Sequence, residues 1–335
     1  MSIESIKPLE ELVGVQQLLE SRWEKLHDEN PDGVFRYQLA IERERVTEGR
    51  CRFLLQLNRK RTTARRKPDG ISSVVPVFDP SRFNFNKVDS REVLMEVQSG
   101  ECTIAIMINN SPLTKNHFLI VPDRSRNMPQ MIRKDSLEAV FKLFMLMGDH
   151  RYRMGFNSPG ALASVNHLHY HFMLMCHKLY VEDAPLTALS EDLHLLENHP
   201  ARAYCFLHNP NEPPTPFTDR IFHLVTILLS QNIAHNLFVT WNGPGDTIRA
   251  LIYTRLQPCE NKQVSPFNVA FSELSGFVPL GDEADYDQLD ECRLEQFFRE
   301  AQGTRDRDGY RKLDQIVLDG LATPLPHRTT GGSER

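Results

Sequence analysis

His167, His169 and His171 alternate with Leu168, Tyr170 and Phe172. On an extended strand, residues i, i+2 and i+4 face the same side. Three imidazoles then line one face, and three large apolar side chains line the other. A lone histidine such as His223 or His235 reads as structural; three at alternate positions read as a site. Two chemistries fit. One is a metal centre, since imidazoles at alternate strand positions can share an ion. No carboxylate joins that face nearby, and Glu182 lies far along. The other is covalent catalysis on phosphorus. Neutral imidazole is a good nucleophile near pH 7, and the phosphoramidate it forms is readily discharged. His169, in the middle, would attack. His167 and His171 would bind phosphate oxygens and fix its tautomer. Charge building on those oxygens needs donors. Ser164, and Asn157 in a loop with Pro159-Gly160, are candidates. The residues alone leave both chemistries open.

The elements that must position this segment are legible in outline. Residues 1–30 read as a polar helix. Apolar and charged residues alternate loosely from Phe35 to Leu57, before a basic run from Arg59 to Lys67. Val93, Met95 and Val97 alternate with polar residues. Residues 102–108 and 117–121 are continuous apolar runs, so these read as adjacent antiparallel strands. A helix with Leu137, Val140, Phe141, Phe144 and Met147 on one face follows, capped by Asp135 or Ser136 and ended by Gly148. Residues 151–163 then read as a loop and 164–176 as the histidine strand. The second part loosely repeats this grammar. It has a helix at 218–232, strands at 235–241 and 247–254 around a turn at 242–245, and a strand-like segment at 266–274. Helices at 287–302 and 309–321 end the pattern, with a domain boundary near 185–200.

Bulk properties narrow the function. Hydrophobic residues are 40% and charged residues 25% of the 335, as in an ordinary globular protein. A net charge of −5 argues against non-specific nucleic-acid binding, which needs a basic surface. No apolar run reaches the length of a membrane span, and the first eleven residues lack the apolar core of a signal peptide. The six cysteines, at 51, 102, 176, 205, 259 and 292, are scattered and read as reduced thiols in the cytoplasm.

Ser164-Val165-Asn166-His167-Leu168-His169-Tyr170-His171-Phe172 resembles the histidine-triad signature. Asn157 and Ser164 sit where that superfamily has an Asn and a Ser. Ile108 to Pro112, then His117 to Pro122, look like its nucleotide-binding segment. The match is closer to one branch, the GDP-hexose phosphorylases, on Gly155 to His169, Phe83-Asn84-Phe85-Asn86-Lys87, Ala234 to Thr240 and Phe267 to Gly276. It runs from about Phe35 to Leu280. Histidine at 171 resembles the animal type, which acts on GDP-D-glucose; the plant type has Gln there.

The resemblance implies an α+β fold: a histidine-triad-like antiparallel sheet with flanking helices, in two pseudo-repeated halves as in galactose-1-phosphate uridylyltransferase. The catalytic half would be 35–190 and a degenerate half 191–323, between a helical extension 1–34 and a disordered tail 324–335. It implies that His169 takes the guanylyl group of GDP-α-D-glucose, releasing α-D-glucose 1-phosphate, and that inorganic phosphate discharges it as GDP. It implies no metal and no cofactor. Asn86 and Lys87 become candidates for base, ribose or phosphate contacts, Asn109 and Asn110 for ribose, and Arg66 and Lys67 for drawing in phosphate. His117 and Glu273 read as structural. A nucleotidyl hydrolase and an idle nucleotide-binding module are the alternatives, and oligomeric state is open.

Overall fold

The computed structural model describes residues 6–30, 33–61, 73–242, 246–257 and 267–323. Arg66 and Lys67, Cys259, residues 243–245 of the turn, and the tail 324–335 lie outside the described residues. The chain opens with a short strand β1 (Lys7–Pro8) and helix α1 (Val15–Glu29), then a hairpin β2 (Arg43–Val46) and β3 (Leu54–Leu57). The first half continues with β4 (Val93–Ser99), β5 (Cys102–Ile108), β6 (Phe118–Pro122), α2 (Lys134–Met147), β7 (Tyr152–Asn157) and β8 (Tyr170–Leu174). The second runs β9 (Leu186–Ala188), β10 (His194–Leu196), β11 (Ala203–His208), α3 (Pro214–Ser230), β12 (Ala234–Trp241) and β13 (Ile248–Arg255). A short helix α4 (Phe271–Leu274), strand β14 (Phe277–Leu280) and helices α5 (Glu283–Gln288), α6 (Glu291–Gln302) and α7 (Arg307–Ala322) follow.

Eleven strands form one sheet in the order β1-β4-β5-β6-β8-β7-β12-β13-β11-β10-β9. The two halves trace the same path. In each, three consecutive strands lead to a helix, and the last two strands pair in inverted order. The order 4-5-6-8-7 is mirrored by 9-10-11-13-12 about the β7–β12 seam. This is the α+β, two-half architecture expected from the sequence. Every pairing in this sheet is antiparallel except β1 with β4. A second sheet, β14-β3-β2, joins the start and end of the chain.

The main sheet is buried on both faces. Its helical face packs Leu168, Tyr170 and Phe172 with α2, α3 and α7 residues such as Phe144, Leu228 and Val317. The opposite face packs Met173, Phe238 and Tyr253 against Phe271 and residues of the second sheet and α6. Helix α2 buries Leu137, Val140, Phe141 and Phe144, as its 3.6-residue spacing requires, and ends at Gly148 with φ 67°. Neither Asp135 nor Ser136 caps it; Ser136 Oγ donates to Arg133 O at 3.1 Å. The described cysteines are free: Cys51, Cys102 and Cys205 are buried, Cys176 and Cys292 exposed. Among the described residues, no helix is long and apolar enough to cross a membrane.

Several sequence expectations are corrected. Residues 152–157 form a strand, not a loop. Tyr152, Met154 and Phe156 alternate inward, and Arg153 is buried because Glu182 pairs with it. The histidine strand is only Tyr170–Leu174. The segment read as a strand at 266–274 ends in helix α4, with β14 after it. Asp290 caps α6, so 287–302 is broken between α5 and α6.

Candidate active site

The histidine segment keeps its alternation but not its strand. Only His171 lies in β8, opposite Gly155 of β7. His167, Leu168 and His169 approach as irregular chain whose hydrogen bonds go to residues 128–130. Leu168 N donates to Met128 O at 2.8 Å, and His169 N donates to Gln130 Oε1 at 2.8 Å. That is why the strand stops short: a loop, partly through a side chain, replaces its neighbour.

His169 is 3% exposed. Its Nδ1 lies 2.8 Å from His167 O and 2.9 Å from Gln130 Oε1. Both are pure acceptors, so Nδ1 carries the proton and Nε2 the lone pair. His171 has the opposite tautomer, set through a chain. Leu113 N donates to His117 Nδ1 at 3.1 Å, so that nitrogen is bare. Burial pushes the His117 pKa down to about 3, so the ring is neutral and protonated at Nε2. His117 Nε2 lies 3.1 Å from His171 Nδ1 and donates to it. The His171 proton is therefore on Nε2. Asn109 Nδ2 is 3.2 Å from His117 Nε2 and 3.5 Å from its Nδ1. His117, read from sequence as structural, thus sets the protonation of a triad member.

His167 is fully buried and accepts from Phe85 N at 3.0 Å through Nδ1. Burial pushes its pKa down to about 4. The three rings do not converge on one point. Among the described residues, no group of three or more His, Cys, Asp or Glu is arranged to hold a metal.

His169 and His171 open into a cleft that Ser164, Asn157, Asn109 and Asn110 also line. Asn157 Oδ1 accepts from Asn236 Nδ2 at 2.6 Å and from Phe271 N at 3.1 Å. The backbone donor fixes the amide orientation, so Asn157 Nδ2 remains as the donor side. Ser164 follows a tight turn. Ala161 N and Ala163 N both bond Ser158 O, and Leu162 is held at φ 69°, where bulky residues are rare.

Three other expected contacts fall elsewhere. His167 stands behind the cleft wall rather than in it. Lys87 Nζ donates to Pro80 O, Ser81 O and Arg82 O at 2.6, 3.1 and 2.8 Å, tying a loop together. Asn86 Nδ2 donates to Arg124 O and Asn127 Oδ1 at 3.1 and 2.8 Å. Neither Asn86 nor Lys87 lines the cleft.

The cleft has two unlike ends. Phe83, Phe85, Val88 and Leu119 make an apolar wall, and the Phe85 ring is 5.0 Å from that of His169. Beyond His171 stand Phe271, Ser272, Glu273 and Arg61, with the Phe271 ring 5.3 Å from that of His171. Burial raises the Glu273 pKa, and Arg61 opposes the rise. Glu273 Oε2 accepts from Ala270 N and Ser272 Oγ at 2.9 and 2.8 Å. Gln130, Asn236, Arg61 and Phe271 were not picked out from sequence. Asn236 and Phe271 lie within the stretches that carry the resemblance; Gln130 and Arg61 lie outside them.

Comparison with known proteins agrees along the chain. Residues 15–173 match the model for the GDPGP1-like N-terminal domain, and residues 181–323 that for the GDPGP1-like C-terminal domain. GDP-D-glucose phosphorylase 1 of Danio rerio is 36% identical over 77% of this chain and 79% of its own. The Homo sapiens protein of that name is 36% identical over 78% and 73%. GDP-L-galactose phosphorylase 1 of Arabidopsis thaliana is 26% identical over 96% and 76%. The fold is shared with the solved structure of yeast Ap4A phosphorylase Apa2 in complex with Ap4A. The TM-score is 0.61 over 87% of this chain and 98% of that one, at 13% identity. With both of its halves matched, the chain belongs to the GDPGP1-like family.

Proposed function

We propose that the cleft converts GDP-α-D-glucose and inorganic phosphate to α-D-glucose 1-phosphate and GDP through a guanylyl group on His169. The observation that carries this is the pair of acceptors at His169 Nδ1, which puts the proton there and the lone pair on Nε2 of a ring that lines the cleft. The Nε2 lone pair bonds the α-phosphorus, and the bond to the glucose 1-phosphate oxygen breaks with its electron pair. A phosphate oxygen then attacks the same phosphorus, and the pair returns to Nε2. Charge on the phosphoryl oxygens meets Asn157 Nδ2, His171 Nε2–H and Ser164. Guanine suits the apolar wall at Phe83, Phe85 and Val88. The hexose and the incoming phosphate suit the end with Glu273 and Arg61. The family relatives are GDP-hexose phosphorylases by name, which supports this substrate class. The free cysteines fit a cytoplasmic location.

The test is incubation with GDP-glucose with and without phosphate. GDP should form only with phosphate, and a GMP-sized adduct should appear on His169 without it. GMP as sole product would overturn phosphorolysis. His169→Asn should abolish turnover and leave the circular dichroism spectrum unchanged.

A further inference from the structure

Gln130 is fully buried in the turn before α2, far in sequence from the histidines. Its side-chain amide binds the main chain of His169 in both directions. Oε1 accepts from His169 N at 2.8 Å, and Nε2 donates to His169 O at 3.1 Å. Peptide N–H and C=O groups fix which end is oxygen, so the orientation is not ambiguous. The same oxygen takes the His169 Nδ1 proton at 2.9 Å, and the same nitrogen also donates to Asn157 O at 3.0 Å. The Gln130 backbone is itself held, its N–H donating to Asn166 Oδ1 at 3.0 Å. One side chain therefore does the work of a missing strand partner and holds the nucleophile's proton.

We infer that Gln130 is a positioning residue that keeps the proton on His169 Nδ1 through both halves of the reaction. The inference rests on the proposed role of His169. When Nε2 bonds phosphorus, the ring becomes a cation if Nδ1 keeps its proton. That cationic adduct discharges readily, because the electron pair of the Nε2–P bond returns to nitrogen and the imidazole leaves neutral. Loss of the proton would give a neutral adduct that discharges poorly. The two acceptors at Nδ1, the His167 carbonyl and the Gln130 amide, are both neutral. They hold the proton without taking it away, and no proton needs to enter or leave. An amide also matches the peptide's donor–acceptor pair. A carboxylate would set an oxygen against His169 O and Asn157 O, and an apolar side chain would leave His169 N–H buried without a partner.

The test pairs two variants, read without substrate and with it. ¹⁵N NMR of histidine-labelled protein reports the tautomer directly. In Gln130→Met, His169 should shift from a single Nδ1–H form toward a mixture. The value of kcat/KM should fall roughly 10- to 100-fold, as for loss of an outer partner of a reacting imidazole. Gln130→Glu keeps the shape, and its neutral acid form offers one donor and one acceptor. Its activity should stand at low pH and fall as pH rises through the pKa of the buried carboxyl, a limb the wild type lacks. A wild-type tautomer with turnover within about twofold in Gln130→Met would overturn the role, as would a wild-type pH profile in Gln130→Glu. If Gln130→Met does not fold, the Gln130→Glu profile decides. Failure of the wild type to turn over GDP-glucose would count against the substrate reading, while the tautomer shift is read independently of it.

Discussion

Gly155→Ala is the sharpest small perturbation this site offers. Gly155 sits in β7 opposite His171 on one side and Phe238 on the other. A Cβ there would fall closer than 3.0 Å to three ring carbons of Phe271. Ordinary carbon contacts need about 3.5–4.0 Å, so the ring must retreat by roughly 1 Å. It has little room, since Phe271 is buried and its ring also meets His171 and Phe238. Overpacking of this kind costs about 1–3 kcal/mol. The retreat also pulls on the bond from Phe271 N to Asn157 Oδ1, and so on the Asn157 amide proposed to meet the phosphoryl oxygens. Misplacement near 1 Å at a reacting centre costs on the order of 100-fold in rate. Urea unfolding should show the lost stability, and initial rates of phosphate-dependent GDP formation should show the lost turnover. A Phe271→Leu change removes the clashing atoms. In a double-mutant cycle it should recover part of the loss, with a coupling of about 0.5–3 kcal/mol. Wild-type stability and rate in Gly155→Ala, or strict additivity with Phe271→Leu, would refute the close-approach argument.

Two further predictions concern the histidines. His117→Ala removes the donor that keeps His171 protonated at Nε2, so kcat should fall roughly 10- to 100-fold while KM changes less. Steady-state kinetics separates the two, and an unchanged kcat would discard the relay. Burial lowers the pKa of His117 to about 3 and of His167, His199 and His235 to about 4. A lowered folded pKa means that the unfolded chain binds the extra protons. Stability should therefore be full above about pH 6.5 and decline as pH falls toward 4, by up to roughly 1.4 kcal/mol per pH unit for each group. Urea midpoints between pH 7 and 5 measure this. His199→Gln, well away from the cleft, should flatten the decline.

What sequence revealed of the site follows from which signals are periodic. Alternation of His167, His169 and His171 shows a shared face, because side-chain direction repeats every two residues. It does not show where the ladder ends, because the break at 168–169 depends on Gln130, a single residue with no period of its own. Phe267, Val269 and Phe271 also alternate, yet they lead into a helix. Arg255 binds Val269 O, a tertiary bond that leaves no local pattern, while Glu273 bonds back to Ala270 N three residues earlier in a capping box that the strand-like alternation masks. Lys87 adjoins residues that resemble a nucleotide-binding segment. Its charge goes instead to three carbonyls of its own loop, a choice set by backbone geometry that composition does not record. Gly155 lies in a segment that reads from sequence as a loop, and the Phe271 ring packed where its Cβ would stand shows why a glycine occupies β7 there.

The β7–β12 seam bears on how the molecule holds together in a cell. All eight residues of β12 are buried, and four of them pair with β7 from Asn157 to Met154. A fragment ending after β8 would present β7 as a bare, apolar edge, the kind of edge that recruits other chains. The half without the triple histidine is thus a lifelong chaperone for its neighbour, fused in place. Its Asn236 reaches across the same seam to Asn157, so the residue that orients a cleft-lining amide belongs to the strand that covers the β7 edge.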